Sequence, residues 1–214
     1  MAAAYSVVIP SRKDANLERA IDAIRMAGET CRIIAVDDGL EGKPFGAELV
    51  AGRKPFIFAR NCNLGIGSAY PDDVVLLNDD ALLETPGGFG RLSGIARANP
   101  DYGVIAAACA YTGNPGEAPR PGGKLREEPR MVCFTCVYIR RAVLRVVGPL
   151  DERFSAYGFE DDDYCLRARR AGLRIGVFDG CVVEHLARGS TFARGQDLAP
   201  GRALFVEKWG SYPL

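Results

Sequence analysis

The sequence has no excess of either charge and no long apolar run. Lysine and arginine together number 27, as do aspartate and glutamate, so the chain carries no net formal charge. A balanced charge gives no strong field that would indicate nucleic acid or an anionic membrane as the partner. No apolar stretch reaches the roughly 18 residues that a membrane-spanning helix needs. With 48% hydrophobic and 25% charged residues, the composition is instead typical of a globular domain.

A secretory signal and a disulfide pattern are also missing. Met1–Ala4 lead directly into an apolar strand, without the basic and apolar regions of a signal peptide. The seven cysteines are odd in number and scattered through apolar segments, which favours reduced, buried thiols. Cys133 and Cys136 have C-x-x-C spacing, but no second pair exists and a strand would turn them to opposite faces. We therefore expect a cytoplasmic protein, with a peripheral membrane contact left open.

Alternating apolar strands and amphipathic helices indicate an α/β fold. Residues 6–10 and 31–36 are short apolar strands, and the helix between them has Asp14 or Asn16 as its expected N-cap. Such a unit places its two strands parallel through a right-handed crossover. Further strands are predicted at 55–58, 74–77, 104–109, 131–139, 175–178 and 181–183, further helices at 89–98, 141–147, 164–172 and 200–209, and an irregular connection at 39–55.

One predicted strand ends in a run of polar and acidic residues. Residues 74–77 are apolar, and Asn78, Asp79 and Asp80 follow directly. Ligands bind beyond the carboxyl ends of strands in an open α/β sheet, where paired acids suit a hard divalent cation and its bound phosphates. Asparagine and aspartate also favour solvated turns and helix caps, so this stretch alone leaves both interpretations open.

Two further acidic pairs and the single histidine bear on that choice. The acids at 37–38 end a strand that should meet the same sheet edge as residues 74–77. The acids at 160–161 begin a predicted helix, where the helix dipole favours them for structural reasons alone. His185 follows an apolar strand and is either a metal ligand or an ordinary core or surface residue. An anionic edge of this kind suits a metal-bound nucleotide diphosphate.

Residues 111–130 differ from the rest of the chain because they have no periodicity. The segment contains four prolines, four glycines and several basic residues. A long loop of this kind is usually a functional lid, a binding loop or a disordered insert. Its cations are Arg120, Lys124, Arg126 and Arg130. They are candidates to cover a nucleotide diphosphate bound at the sheet edge or to contact another anionic molecule, and the alternative is a solvated, mobile loop.

Taken in order along residues 5 to about 210, the motifs resemble family 2 inverting glycosyltransferases of the GT-A fold, including rhamnosyltransferase-like members. The most specific part is the segment GPLDERF at 148–154 followed by GFEDDDYCLR at 158–167. The other matching segments are residues 6–10, 33–39, 74–81, 171–175, 183–185 and 208–210. The first position of the family's usual DXD motif is Asn78 here, which leaves Asp79 or Asp80 to hold the metal.

The resemblance implies a single GT-A domain over residues 1–214. Its architecture is Rossmann-like, with a mostly parallel central sheet flanked by helices and a small additional antiparallel sheet. Residues 1–110 would form the nucleotide-sugar-binding half, 111–130 a flexible loop, and 131–214 the acceptor and catalytic half.

The resemblance also implies roles for individual residues. Asp80 and His185 would bind Mn²⁺ or Mg²⁺, and Asp161 would be the general base that takes the proton from the acceptor hydroxyl. Asp38 would accept a hydrogen bond from the donor's base. The donor-binding residues implied are Pro10, Ser11, Asp38, Arg60, Asn63, Asn78 and Asp79.

The implied function is metal-dependent, inverting transfer of a sugar from a UDP-, dTDP- or GDP-sugar to an acceptor hydroxyl. The acceptor stays open between a glycan, a lipid-linked sugar and a nucleic acid. The alternative is a non-catalytic nucleotide-sugar- or glycan-binding module of the same fold, against which Asp80, Asp161 and His185 argue. A sugar-nucleotide pyrophosphorylase is disfavoured, because residues 10–14 follow the first strand without a glycine-rich phosphate loop.

Overall fold

A computed structural model describes residues 5–42, 46–155, 158–186 and 197–211. Its strands are β1 Tyr5–Ser11, β2 Arg32–Asp37, β3 Glu48–Ala51, β4 Asp73–Leu77, β5 Ala81–Leu83, β6 Tyr102–Ala108, β7 Leu125–Glu127, β8 Cys136–Ile139 and β9 Arg174–His185. Its helices are α1 Asp14–Met26, α2 Phe58–Ser68, α3 Gly88–Ala98, α4 Arg141–Val147, α5 Glu160–Arg170 and α6 Ala199–Trp209, with a short 3-10 helix at Pro115–Glu117. None of the helices in these ranges has both the length and the apolar character needed to cross a membrane.

The strands form one sheet in the order β3-β2-β1-β4-β8-β6-β9-β5, with β7 paired to β9. Strands β3, β2, β1 and β4 are parallel, while β8 runs antiparallel to both β4 and β6. Strand β6 therefore has the direction of β4, and β9 is parallel to β6. The last residues of β9 pair antiparallel with β5, which forms a short ladder at the end of the same sheet. The predicted α/β fold with a mostly parallel central sheet is confirmed.

The core lies on both faces of the sheet, because successive strand residues point to opposite sides. Val8 of β1 packs in a cluster with α2 and α5, while Val7 and Ile9 pack in a second cluster with α1 and α3. Strands covered on both faces read as continuous apolar runs, which explains why β1 and β4 were recognisable in the sequence.

The predicted strand at 55–58 is wrong, because helix α2 begins at Phe58. Ala59, Cys62 and Ile66 form its buried face. A Cβ added at Gly65 would lie 2.2 Å from the Val8 side chain, so the glycine allows α2 to pack directly on β1. Glycine is a poor helix former, and it hid this helix in the sequence pattern.

Two further corrections concern the N-cap of α1 and the connection at 39–55. Lys13 is the N-cap of α1, and no side chain caps the helix. Asp14 instead accepts hydrogen bonds from the backbone of Glu41 and Gly42, at 3.2 Å each. Strand β3 lies within the stretch predicted to be irregular, where its mostly exposed residues gave no apolar signal.

Strand β9 is one strand and not the two predicted. Its pairing with β6 shifts register so that Ala107 pairs with Phe178 and Ala108 with Val182. Such a bulge bends a strand and changes its direction of pairing. The first half of β9 pairs with β6 and β7, and its last residues pair with β5.

Segment 111–130 contains the 3-10 helix and strand β7, and much of it is held by one buried acid, Asp179 of β9. Arg126 donates to Asp179 at 2.9 Å and 3.1 Å, and also donates to the backbone oxygens of Gly116 and Ala118. The backbone N–H of Arg120 donates to the same acid at 3.0 Å. The Arg126 guanidinium is therefore engaged within the fold, whereas the sequence left it open between a diphosphate contact, an acceptor contact and a solvated loop.

Candidate functional site

The polar strand ends converge on one edge of the sheet. The carboxyl ends of β1, β2 and β4 meet there because these strands are parallel, and β6 and β9 end at the same edge. Helix α5 leads through a short turn into the start of β9, which lies at the opposite edge. Because the helix runs back along the sheet in the opposite direction to β9, its first residues lie at the edge where β9 ends. Open α/β sheets bind ligands at this position.

Asp80 and His185 form a buried pair at this edge. In the β5–β9 ladder Ala81 pairs with His185, and the backbone N–H of Leu186 donates to the Asp80 carbonyl at 2.9 Å. The Asp80 Oδ1 atom lies 3.0 Å from His185 Nε2. His185 Nδ1 lies 2.9 Å from the backbone oxygen of Tyr111, which follows β6. Two chain segments remote in sequence therefore orient the same imidazole.

The partners of His185 define its protons. The Tyr111 carbonyl can only accept, so Nδ1 carries a proton. Nε2 faces the Asp80 carboxyl, to which a protonated ring nitrogen would donate. Burial lowers the pKa of His185, but the hydrogen bond and charge of Asp80, with the Tyr111 carbonyl, outweigh burial and raise it.

This pair has the chemistry of a metal site. Loss of the Nε2 proton leaves a lone pair beside the Asp80 carboxylate, and imidazole and carboxylate are both ligands of divalent cations. The bond from Nδ1 to Tyr111 would hold the ring in the ligating orientation. Over the ranges that the structure describes, no group of three or more His, Cys, Asp or Glu side chains is arranged to hold a metal. The pair therefore fits a cation that takes its other ligands from a bound molecule.

Asp79 turns away from this pair toward β1. The Ser11 hydroxyl donates to Asp79 Oδ2 at 2.7 Å, which ties the ends of β1 and β4 together. Burial raises the pKa of Asp79, and the Ser11 hydrogen bond opposes that rise. The backbone N–H of Asn78 donates at 2.9 Å to the backbone oxygen of Thr135, the residue directly before β8. Ser11, Asn78 and Asp79 thus lie at the shared edge; the strand-end position was predicted from the sequence for Asn78 and Asp79, and Ser11 was implied by the resemblance.

Asp38 lies at the end of β2 and is buried. Its Oδ2 atom is 3.2 Å from the Lys54 ammonium, which also donates to the Asp38 backbone oxygen. Its Oδ1 atom is buried and has no hydrogen-bond partner. Pro10 is buried on the neighbouring strand, paired in register with Val36. Lys54 was not singled out from the sequence, since sixteen residues separate it from Asp38.

Asp161 lies in the first turn of α5, in a run of four acids. The helix follows Phe159, whose φ of 74° is rare for a bulky residue and costs about 1–3 kcal/mol. Burial, with the charges of Glu160 and Asp162, raises the pKa of Asp161 well above its usual range. Burial also raises the pKa of Glu160 to about 7. Carboxyls with raised pKa values are suited to proton transfer near neutral pH.

The last acid of that run has a structural role. Asp163 is fully buried and accepts from Arg167 Nε and Trp209 Nε1, at 2.9 Å each. The Lys208 ammonium lies 2.6 Å from Asp163 and 2.7 Å from Asp151. Asp151 and Asp163 belong to the motifs at 148–154 and 158–167 that carry the family resemblance. Lys208 and Trp209 therefore connect both motifs to α6.

Arg60 and Asn63, predicted to bind the donor, lie on α2 and contact the segment that follows α4. The Asn63 amide exchanges two 2.9 Å hydrogen bonds with the backbone of Leu150 and donates to Glu152 at 3.1 Å. Arg60 Nε is 3.5 Å from Glu152. Both side chains have partners within the fold, and their contact with a donor stays a prediction.

Glu117 is a residue of the site that sequence reasoning missed. It is 1% exposed, and its Oε1 accepts from the backbone N–H of Cys133 at 2.6 Å. Burial raises the pKa of Glu117 to about 8. When ionised, its carboxylate adds to the raised pKa values of both Asp161 and His185. No local pattern distinguishes this glutamate from the exposed acids of segment 111–130.

Several solved structures share this arrangement of strands and helices. GalNAc-T7 with UDP, GalNAc and Mn²⁺ matches with a TM-score of 0.71 and 11% identity, over 86% of this chain and 44% of that one. The mannosyltransferase PcManGT from Pyrobaculum calidifontis, in complex with GDP-Man and Mn²⁺, matches with a TM-score of 0.69 and 17% identity, over 99% and 66%. S. aureus TarS matches with a TM-score of 0.65 and 12% identity, over 95% and 65%. The chain has the GT-A glycosyltransferase fold.

This GT-A chain spans less than two thirds of the length of each of these structures. A curated relative, the uncharacterized protein y4gI of Sinorhizobium fredii, is 25% identical over 206 residues, which cover 78% of this chain and 23% of the relative. No protein-family model matches the sequence. The similarity therefore establishes the fold, and the chemistry has to be argued from the site.

Proposed function

We propose that the chain is a metal-dependent glycosyltransferase that moves a sugar from a UDP-, dTDP- or GDP-sugar to an acceptor hydroxyl with inversion. The observation that carries this proposal is the buried pair of Asp80 and His185 at the sheet edge, beside Asp38 and Asp79. Two proteins of the same fold were solved with Mn²⁺ and either UDP or GDP-Man.

The metal would be held by Asp80 and His185, with Mn²⁺ or Mg²⁺ as the ion. When bound, such a cation neutralises charge on the departing nucleoside diphosphate. The Tyr111 carbonyl keeps the imidazole in the orientation that presents Nε2. Asp79, held by Ser11, and Asn78 would contact the ribose or the phosphates of the donor.

The acceptor side would be served by Asp161. Its carboxylate takes the proton of the acceptor hydroxyl while that oxygen forms a bond to the anomeric carbon. The bond from this carbon to the phosphate oxygen breaks, and the nucleoside diphosphate leaves with the bonding electrons. One displacement inverts the anomeric centre, so no nucleophile of the protein is needed. The raised pKa of Asp161 makes it a stronger base than a solvated aspartate.

In this proposal the two halves of the domain divide the work. Strands β1, β2 and β4, within residues 1–110, present the donor-binding side chains. Helix α5 and the end of β9, within residues 131–214, supply the base and the histidine. Segment 111–130 lies between them and contributes Glu117 and the Tyr111 carbonyl.

A donor screen tests the function. Release of nucleoside diphosphate is measured from UDP-, dTDP- and GDP-sugars, with Mn²⁺ and with a chelator. We expect hydrolysis or transfer from at least one donor, and loss of this activity with the chelator. Failure of every donor to bind would contradict the enzyme assignment, whereas binding without turnover would favour a non-catalytic module.

A further inference from the structure

Lys54 reaches Asp38 because of how the chain leaves β3. Ala51 pairs with Asp37 in the sheet, and the backbone N–H of Gly52 donates to the Asp37 carbonyl at 2.7 Å. A Cβ at Gly52 would lie 2.5 Å from that oxygen, so only glycine permits the approach. The chain therefore turns across the end of β2, which brings Lys54 to Asp38.

The contact leaves the two carboxylate oxygens of Asp38 in different states. Oδ2 is paired with the Lys54 ammonium at 3.2 Å, while Oδ1 is buried without a partner. A buried acceptor without a hydrogen bond costs about 1–3 kcal/mol. The Asp38 side chain is 1% exposed, but 70% of the Lys54 side chain is exposed. The exposed Lys54 side chain can therefore turn toward a ligand while its ammonium stays paired with Oδ2, and a ligand N–H that reaches Oδ1 gains a hydrogen bond the free protein lacks.

The chemistry of the nucleobases distinguishes which ligand suits this pair. Uracil and thymine present one N–H between two carbonyl oxygens. Guanine presents two adjacent N–H groups, which need both oxygens of a carboxylate. Cytosine and adenine place a ring-nitrogen acceptor beside the amino group, where it would face the carboxylate. One open acceptor beside a lysine donor matches the uracil and thymine edge.

We propose that Lys54 and Asp38 together select a uracil or thymine nucleotide: Asp38 Oδ1 accepts the imide N–H, and Lys54 donates to an adjacent carbonyl. By holding Oδ2, Lys54 denies guanine its second acceptor. This inference rests on the proposed function, since it names the donor's base for the same site. It makes Lys54 a specificity-determining residue.

Calorimetric titration with UDP, dTDP, CDP, GDP and ADP, each with Mn²⁺, tests this selection without needing the sugar or the acceptor. We expect UDP and dTDP to bind at least about tenfold more tightly than the other three. Lys54→Met should weaken UDP binding by about tenfold, and it should tighten GDP binding because Asp38 Oδ2 is freed for the second N–H of guanine. Lys54→Arg should keep the preference. Arg145→Met, which removes a positive charge from the exposed face of α4, is the control and should bind like the wild type.

Two outcomes would overturn the selection while leaving the enzyme assignment intact. One is GDP binding as tightly as UDP in the wild type. The other is an equal loss for all five nucleotides in Lys54→Met, which would show a general electrostatic effect. Absence of binding by every nucleotide would instead contradict the proposed function itself.

Discussion

Asp161 is the residue whose chemistry can be separated most cleanly from its neighbours. If it is the base, Asp161→Asn lowers turnover by about 10²–10⁴-fold. Nucleotide affinity should stay unchanged, since the proposed donor contacts lie at strand ends and Asp161 lies on α5. Asp162→Asn is the matched control on the same helical turn and should keep most of the activity. Single-turnover kinetics with the donor found by the screen measures the effect. Normal turnover by Asp161→Asn would reassign the base, with Glu160 as the next candidate because its pKa is also raised.

Glu117 gives a prediction for stability against pH. Its pKa is about 8 in the folded chain, above the ordinary value of 4.5. Between these values the folded state binds a proton that the unfolded state has released, so the free energy of unfolding falls as pH rises through this window. Glu117→Gln has no such proton to lose. Its free energy of unfolding relative to the wild type should therefore rise by about 2 kcal/mol or more between pH 5 and pH 9.

Urea titration of Glu117→Gln and the wild type at both pH values measures that difference. Glu18→Gln, an exposed acid on α1, is the control and should follow the wild type at each pH. Parallel curves for Glu117→Gln and the wild type would mean that Glu117 is already ionised in the folded state at neutral pH.

At the scale of elements, substitution of two glycines of α2 by alanine should have opposite effects on stability. A Cβ at Gly65 meets Val8 at 2.2 Å and Val36 at 3.0 Å, so Gly65→Ala should destabilise the fold by about 1–3 kcal/mol. Gly67 has nothing within 4 Å, so Gly67→Ala should stabilise α2 by about 0.5–1 kcal/mol through helix propensity alone. Denaturant midpoints measure both, and equal effects of the two substitutions would contradict the close packing of α2 on β1.

The elements that the sequence predicted correctly are those with a strong local pattern. Strands β1, β2, β4 and β6 are continuous apolar runs, and α4 has its predicted bounds. Helix α2 was missed because Gly65, which weakens the helical pattern, serves a contact with β1 that is remote in sequence. Strand β3 was missed because an edge strand with exposed residues carries no apolar signal.

The same reasoning applies to the site. The acids at strand ends were predictable, since a strand pattern followed by a carboxylate is a local feature. Lys54 and Glu117 were not, because their proximity to Asp38 and His185 exists only once the sheet has formed. The role of Arg126 stayed open for the same reason, since its partner Asp179 lies 53 residues away.

At the scale of the whole molecule, the domain gathers its site from most of its length. The candidate residues run from Pro10 to His185, and those that end strands lie at one edge of a single sheet, while Arg60 and Asn63 lie on α2. Helix α6 adds no candidate residue to that edge, but its Lys208 and Trp209 bind Asp163, the last acid of the first turn of α5. Helix α6 therefore helps to hold α5, the helix that carries Asp161.

Binding of Mn²⁺, followed by the loss of its free electron paramagnetic resonance signal, tests the metal site most directly. In the presence of UDP, dTDP or GDP, the wild type should bind one Mn²⁺ per chain with at least one of these nucleotides. Asp80→Asn, which keeps the shape of the side chain, should weaken this binding by at least about tenfold, and His185→Ala should do the same. Equal Mn²⁺ binding by the wild type and Asp80→Asn, or no binding by the wild type with any of the three nucleotides, would contradict the assignment of Asp80 and His185 as the metal ligands.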